Sequence, residues 1–180
     1  MPVPHLDDEE LLIEVSDDDS EIIGSVARKR VHNNPSIIHR AVHIVILNDE
    51  GLMLLQKRSM TKDIMPGRWD TSVGGHVGWG QTYEEAAVRE AEEELGVHID
   101  PEKLEYLYLL KIRDPVESEN IRSYFHRHSG PFKPGADEVE AVRFWSRTEI
   151  QDTLGTGKFT PNFEIEYSAF MNSPYATLLN

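Results

Sequence analysis

Three glutamates, Glu90, Glu93 and Glu94, fall at i, i+3 and i+4 within the run GGHVGWGQTYEEAAVREAEEELGV from Gly74 to Val97. On a helix those positions lie on one face, so three carboxylates meet in a single patch. Like charges held together repel, and the patch is best sustained by a divalent cation; ligands that are all oxygen suit magnesium or manganese. Arg89 stands one helical turn from both Glu85 and Glu93, where it can orient the carboxylates. Each glutamate alone would read as a solvated helix face. The spacing of the whole set gives it chemical meaning.

The element that must hold these groups is a helix over Tyr83–Leu95. Thr82 and Glu85 form a capping box at its start, and Gly96 supplies its C-terminal stop. Ala87, Val88, Ala91 and Leu95 form its apolar stripe, and the Gly74-Gly75 turn delivers the chain to it. A second group of possible ligands is scattered: His32 and His39 in HNNPSIIH, His76 after the glycine pair, and Glu117 and Glu119 in a VESE loop. Two histidines seven apart mean little by themselves, and polar or stacking roles suit them equally. Lys57, Arg58, Lys62 and Arg68 flank a loop facing the acidic helix and are candidates to hold phosphates. Trp69, Trp79, Tyr83 and Phe132 are candidates for stacking on a base, with core packing the alternative for each. Asp17–Asp19 reads as a solvated turn.

Composition narrows the class. At 180 residues the chain can bury a substantial core without disulfides or a structural metal. It has no cysteine, which excludes a thiol nucleophile and a thiolate zinc site and fits a reducing compartment. The net charge of −14 argues against non-specific nucleic-acid binding. A small phosphorylated substrate is compatible with it, because a bound cation and a few basic side chains reverse the local field. No apolar run is long enough to span a membrane and no signal pattern opens the chain, so a soluble cytoplasmic protein is expected.

Read in order, residues 1–10 form an acidic, Pro-containing lead-in and residues 11–180 a single domain. LLIEV and EIIGSV are two strands around an acidic turn. Ala41–Leu47 and Leu52–Arg58 form a hairpin across NDEG. A short TSV strand precedes the glycine pair. Strands follow at Leu104–Ile112, Ile121–Phe125 and Glu138–Trp145, then a helix near Thr148 and a closing amphipathic helix at Phe163–Met171. Strands with few helices predict an α/β (α+β) fold, a mixed sheet packed between helices.

The spacing from Gly75 to Val97 resembles the box that defines the Nudix superfamily, G-x5-E-x7-R-E-U-x-E-E-x-G-U with U aliphatic. Gly75, Arg89, Glu90, Ala91, Glu93, Glu94, Gly96 and Val97 match, and Gln81 stands where the family has Glu. The resemblance implies an α/β/α sandwich and a hydrolase that cleaves a nucleoside diphosphate linked to another moiety by water attack on phosphorus. It implies Mg2+ or Mn2+ held by Glu90, Glu93 and Glu94 with a backbone oxygen of Gly74. Glu93, Glu117, Glu119 and Glu138 are candidates for the general base. Homodimers are common in the superfamily.

A narrower likeness covers about residues 32–125. His32, His39, His76, Glu117 and Glu119 fall on the metal-binding positions of type I isopentenyl-diphosphate isomerases, and HRAVHIVI and PGRWDTSVGGH are similar in sequence. Two departures separate the chain from them. The isomerases use a cysteine immediately before the G-H of the box, and here that position is Gly74, which offers no acid-base group. Their box helix is degraded, whereas this one keeps all three glutamates. The chain therefore reads as a hydrolase of the isomerase-like branch, with the histidine cluster a second metal site or a relic. Gln81 cannot add charge or accept a proton, which predicts weaker metal binding or slower turnover. The alternatives are an isomerase and a catalytically weak nucleotide-binding domain.

Overall fold

The computed structural model describes residues 10–180; the expected lead-in, apart from Glu10, lies outside them. The elements run β1 (Leu11–Val15), β2 (Ile22–Ala27), α1 (Arg28–Val31), β3 (Ile38–Leu47), β4 (Met53–Arg58), β5 (Trp69–Asp70), β6 (Val73–His76), α2 (Tyr83–Leu95), β7 (Glu105–Arg113), β8 (Ser118–Arg127), β9 (Val139–Trp145), α3 (Arg147–Thr153) and α4 (Pro161–Met171).

The sheet is organised on β3. Along one edge β3 pairs in parallel with β8 over its full length, from Ile38 opposite Ser118 to Leu47 opposite Arg127. It also pairs antiparallel with β6, from Ala41 opposite His76 to Ile44 opposite Val73. The C-terminal part of β3, Ile44–Leu47, is uninterruptedly apolar and buried because both of its faces are covered there, whereas His39, Arg40 and His43 stand in its first part. Val42, Ile44 and Ile46 pack with Ala86, Ala87, Ala91 and Leu95 of α2. Val45 and Leu47, on the opposite face, pack with Ile150 of α3 and with Phe163, Tyr167 and Phe170 of α4. Helices thus cover both faces of a mixed sheet, the expected sandwich.

Three expectations shift. The hairpin across NDEG turns as predicted, with Asn48 Oδ1 accepting from the N–H groups of Glu50 and Leu52. Its strands then part after one pair, Leu47 opposite Met53, because β4 takes β9 and β5 as partners while β3 takes β6 and β8. Turn chemistry reports how the chain reverses, and long-range pairing decides which strands stay together. Glu119 lies within a strand rather than a loop: pairing with β3 extends β8 back to Ser118 and sets Glu119 opposite His39. The short TSV strand proves to start two residues later, at Val73, with β5 preceding it.

Helix α2 is bounded as the sequence indicates, with both capping-box hydrogen bonds formed and Gly96 at φ 65° closing it. Its buried stripe is rotated slightly: Tyr83 and Ala86 join Ala87, Ala91 and Leu95, and Val88 is only half-buried.

Candidate active site

The three box glutamates share a face of α2 but not an environment. Glu94 is buried, and its Oε2 accepts from Gln56 Nε2 at 2.7 Å and from the Gly74 N–H at 3.1 Å. Burial, reinforced by the nearby charge of Glu90, pushes its carboxyl up to about 8 despite those two hydrogen bonds. Glu90 is pushed up to about 7 by burial, with Arg89 opposing and Glu93 adding to the shift. Glu93 is the exposed member. Two buried carboxylates with raised proton affinity are a site whose charge is not balanced by protein, which is the condition a divalent cation relieves.

Arg89 holds this face together, contacting Glu90 Oε1 at 2.8 Å and Glu93 Oε2 at 3.2 Å and donating to the His76 carbonyl at 2.9 Å. Its expected neighbour Glu85 is committed to the helix cap instead. Gln81 lies at the far end of the same network: its Oε1 accepts from the Gly78 N–H at 3.0 Å and sits 3.5 Å from an Arg89 nitrogen. A side chain at Gly75 would collide with the Glu90 carboxylate. The glycine is therefore required by the close approach of α2 to β6.

On β3 and β8 a second cluster assembles. His39, His76, Glu117 and Glu119 each bring a ligand atom to within 4.8 Å of the others. His39 and His76 lie with ring centroids 5.1 Å apart, and their Nε2 atoms stand 3.4 and 3.6 Å from Glu119 Oε1. His32 joins at the rim, its Nδ1 2.8 Å from Glu117 Oε1. His39 is fully buried, and neither ring nitrogen makes a hydrogen bond of good geometry. Two imidazoles and two carboxylates converging on buried, poorly satisfied nitrogens fit a divalent cation. Burial works to raise Glu119, but His39 and His76 outweigh it and hold the carboxyl down at about 2.

Both groups open into one cleft of about 620 Å³, whose lining also includes Arg58, Lys62, Glu138 and Gly74. Arg58 is held 3.4 Å from Asp70, and Lys62 is ion-paired with Glu138. Lys57 and Arg68 are not among the cleft-lining residues, and Lys57 faces Glu140 on the neighbouring strand β9. The proposed stackers are elsewhere. Tyr83 is buried with its hydroxyl on Asp19, Phe132 packs on Phe144, Trp79 is exposed, and Trp69 lines a separate cavity with Arg143 and Trp145. None of the four lines the cleft.

Residues 37–163 match the NUDIX domain family. The chain belongs to the Nudix family. An uncharacterized Nudix hydrolase of Streptomyces coelicolor is 30% identical over 152 residues, covering 84% of this chain and 83% of the relative. An isopentenyl-diphosphate Delta-isomerase of Paenarthrobacter aurescens is 33% identical over 149 residues, covering 79% and 80%. A crystal structure of a Deinococcus radiodurans protein superposes with a TM-score of 0.71 at 25% identity, over 89% of this chain and 99% of that one. The resemblance read from the box and from the histidine and glutamate positions thus holds at both levels, Nudix and isomerase-like. With its glutamates assembled on an intact helix, this Nudix chain is a hydrolase acting on diphosphate bonds.

Sequence reasoning missed three cleft-lining residues and a buried carboxylate behind them. Gln56 on β4 and the pair His43 and Glu166 complete the polar floor, and Thr71 lines the wall. Glu166 Oε2 lies 2.8 Å from His43 Nδ1, and although burial opposes it, that carboxylate raises the proton affinity of the ring. A charged residue within the apolar face of a helix was the available signal: Glu166 sits between Phe163, Tyr167 and Phe170.

Proposed function

We propose that this chain is a metal-dependent Nudix pyrophosphohydrolase that cleaves a diphosphate of the nucleoside-diphosphate type by attack of water on phosphorus. The observation that carries it is the convergence of Glu90, Glu93, Glu94 and the Gly74–Gly75 backbone in a cleft large enough for a small phosphorylated molecule. Glu90, Glu93 and Glu94, with Gly74, would hold Mg2+ or Mn2+. The ion would neutralise charge developing on the diphosphate oxygens and make the attacking water more acidic.

The protein's own groups divide the remaining work. Arg89, fixed by the His76 carbonyl, sets the spacing of Glu90 and Glu93. Gln81 steadies Arg89 and the Gly78 turn without adding charge. Glu93, the solvent-facing carboxylate of the box, is our candidate to take the proton of the attacking water, with Glu117, Glu119 and Glu138 the other cleft carboxylates in question. Arg58 and Lys62 would meet phosphate at the mouth of the cleft. His39, His76, Glu117 and Glu119, with His32 at the rim, would hold a second cation. The setting expected is the cytoplasm, with the chain alone or as a homodimer.

A second reading, allylic-diphosphate isomerisation, is kept in view by the isomerases among the relatives and by the histidine cluster. Against it stands Gly74, which has no side chain to move a proton at carbon.

Incubation with Mg2+ or Mn2+ and a panel of nucleoside triphosphates, nucleotide sugars, dinucleotides and isopentenyl diphosphate, with products resolved by mass spectrometry, tests both readings. Cleavage of a diphosphate linkage that is lost in Glu93→Gln is the expected result. Dimethylallyl diphosphate as product would replace the hydrolase with the isomerase. Tight nucleotide binding without product would indicate a binding domain.

A further inference from the structure

The two glycines of β6 open toward opposite faces of the sheet. Gly75 admits Glu90 from the α2 side, and Gly74 admits His43 from the α4 side: a Cβ on Gly74 would lie 3.0 and 3.2 Å from the His43 ring at Cδ2 and Nε2. The cause is register, since Gly74 lies directly opposite His43 between β6 and β3.

The other edge of that ring is tightly held. Glu166 is 1% exposed, and three donors from three strands converge on it: His43 Nδ1 at 2.8 Å, Tyr108 Oη at 2.6 Å and Ser123 Oγ at 3.0 Å. Against the effect of burial, the Glu166 carboxylate beside Nδ1 favours the imidazolium, in which Nδ1 donates to Glu166 and Nε2 keeps an N–H of its own for an acceptor in the cleft. A buried carboxylate within an apolar helix face is destabilising unless fully paired, and a packed core would be served as well by a leucine. Here the arrangement fixes one imidazole and leaves its Nε2 edge as the polar group directed at the Gly74 opening. The His43 side chain is 12% exposed and lines the cleft.

The cationic side chains of the cleft already face carboxylates. Among the described cleft-lining residues, Arg28, Arg58, Lys62 and Arg89 face Glu10, Asp70, Glu138 and the Glu90–Glu93 pair. The floor behind Gly74 has His43, and Thr71, 3% exposed with its hydroxyl unpartnered, lines the same cleft. Both suit an oxygen-rich, anionic group.

We infer that His43 is a further substrate-contacting residue, whose Nε2 holds a phosphate oxygen of the diphosphate on the side of the cleft away from the box glutamates, and that Glu166 is its positioning residue. This rests on the pyrophosphohydrolase reading for its substrate class, but it is testable without turnover. No bond is made or broken by His43; it fixes where the diphosphate lies.

The probe is inorganic pyrophosphate with Mg2+, titrated calorimetrically into wild type, His43→Ala, His43→Gln and Glu166→Gln, with Mn2+ binding and thermal midpoint measured for each. His43→Ala should weaken pyrophosphate binding roughly tenfold, as for a lost hydrogen bond to a charged group, with Mn2+ binding unchanged. His43→Gln, which keeps an N–H near the place of Nε2, should recover part of the loss. Glu166→Gln should weaken binding about threefold by freeing the ring. Where a hydrolysed substrate is in hand, KM should rise by the same factors with kcat little changed. Equal pyrophosphate binding in wild type and His43→Ala overturns the inference, as does a loss that Mn2+ binding shares in full, or no binding by wild type. Should His43→Ala not fold, the order of wild type, His43→Gln and Glu166→Gln decides. A wild type that binds pyrophosphate through His43 yet hydrolyses no diphosphate would sink the hydrolase reading and leave this contact standing.

Discussion

Two carboxylates in one cleft, both buried, lean in opposite directions. Glu94 on α2 is pushed up to about 8, whereas Glu119 on β8 is held down at about 2. Burial acts the same way on both, so the neighbours decide. Glu94 has a neutral amide, a backbone N–H and another carboxylate around it; Glu119 has His39 and His76. The box is a site short of positive charge; around Glu119 the two imidazoles favour its ionised form, while burial holds the His76 ring itself down at about 3. The surroundings of Glu94 favour its protonated form, whereas those of Glu119 favour its ionised form.

The largest break should come from the box. Glu94→Gln keeps the shape and the contact with Gln56 but removes a charge a cation needs, and hydrolysis should fall by roughly 10³-fold or more, scaled on the several kcal/mol a metal contributes to phosphoryl transfer. Steady-state rates with Mg2+ check this, and a rate within tenfold of wild type would count against Glu94 as a ligand.

Gly75→Ala should follow. The added methyl meets the Glu90 carboxylate, so α2 must shift or Glu90 must turn away. A loss of about 1–3 kcal/mol in stability is expected from overpacking, along with weakened metal binding. Denaturant unfolding beside a Mn2+ titration would show both.

For the histidine cluster, Glu119→Gln or His39→Ala should remove one bound metal per chain, counted by elemental analysis, while the box site keeps its own. Retention of the full count would reduce the cluster to a polar core.

The contrast also sets a pH dependence. Glu94 and Glu90, up at about 8 and about 7 when folded against 4.5 as free side chains, hold protons the unfolded chain has already lost. The metal-free protein should therefore lose stability as pH rises from about 5 to 8. Its thermal midpoint should drop by roughly 10 °C between pH 6 and 8.5, and saturating Mg2+ should shrink the drop. Glu119 works the other way, contributing stability that is lost only as pH falls from 4.5 toward about 2, outside that window. A midpoint that rises over pH 6 to 8.5 without metal would reverse the reading of the box.

The smallest effect belongs to Gln81→Glu. An added carboxylate beside Arg89 should strengthen the network and raise metal affinity about two- to fivefold, in line with an ion pair at a partly exposed site. An unchanged affinity would make position 81 a purely structural part of the Gly78 turn.

The chain by itself determined what is local. Residues 82–96 carry their own capping box and glycine stop, and the 3.6-residue period fixes which carboxylates share a face, so α2 and its glutamates were legible before any tertiary structure. Resemblance to the isomerases, not spacing, marked His32, His39, His76, Glu117 and Glu119 as a set. What the tertiary structure decided is whatever depends on register between distant strands. Pairing of β3 with β8 sets His39 opposite Glu119, and pairing with β6 sets His43 opposite Gly74. Those alignments unite residues from far apart along the chain. The same long-range packing brought Glu166 beneath His43 and left Lys57, Arg68 and the four aromatic candidates off the cleft. Helical periodicity is written within one turn of sequence, whereas sheet register is set by the burial of both faces at once, and no single segment contains that information.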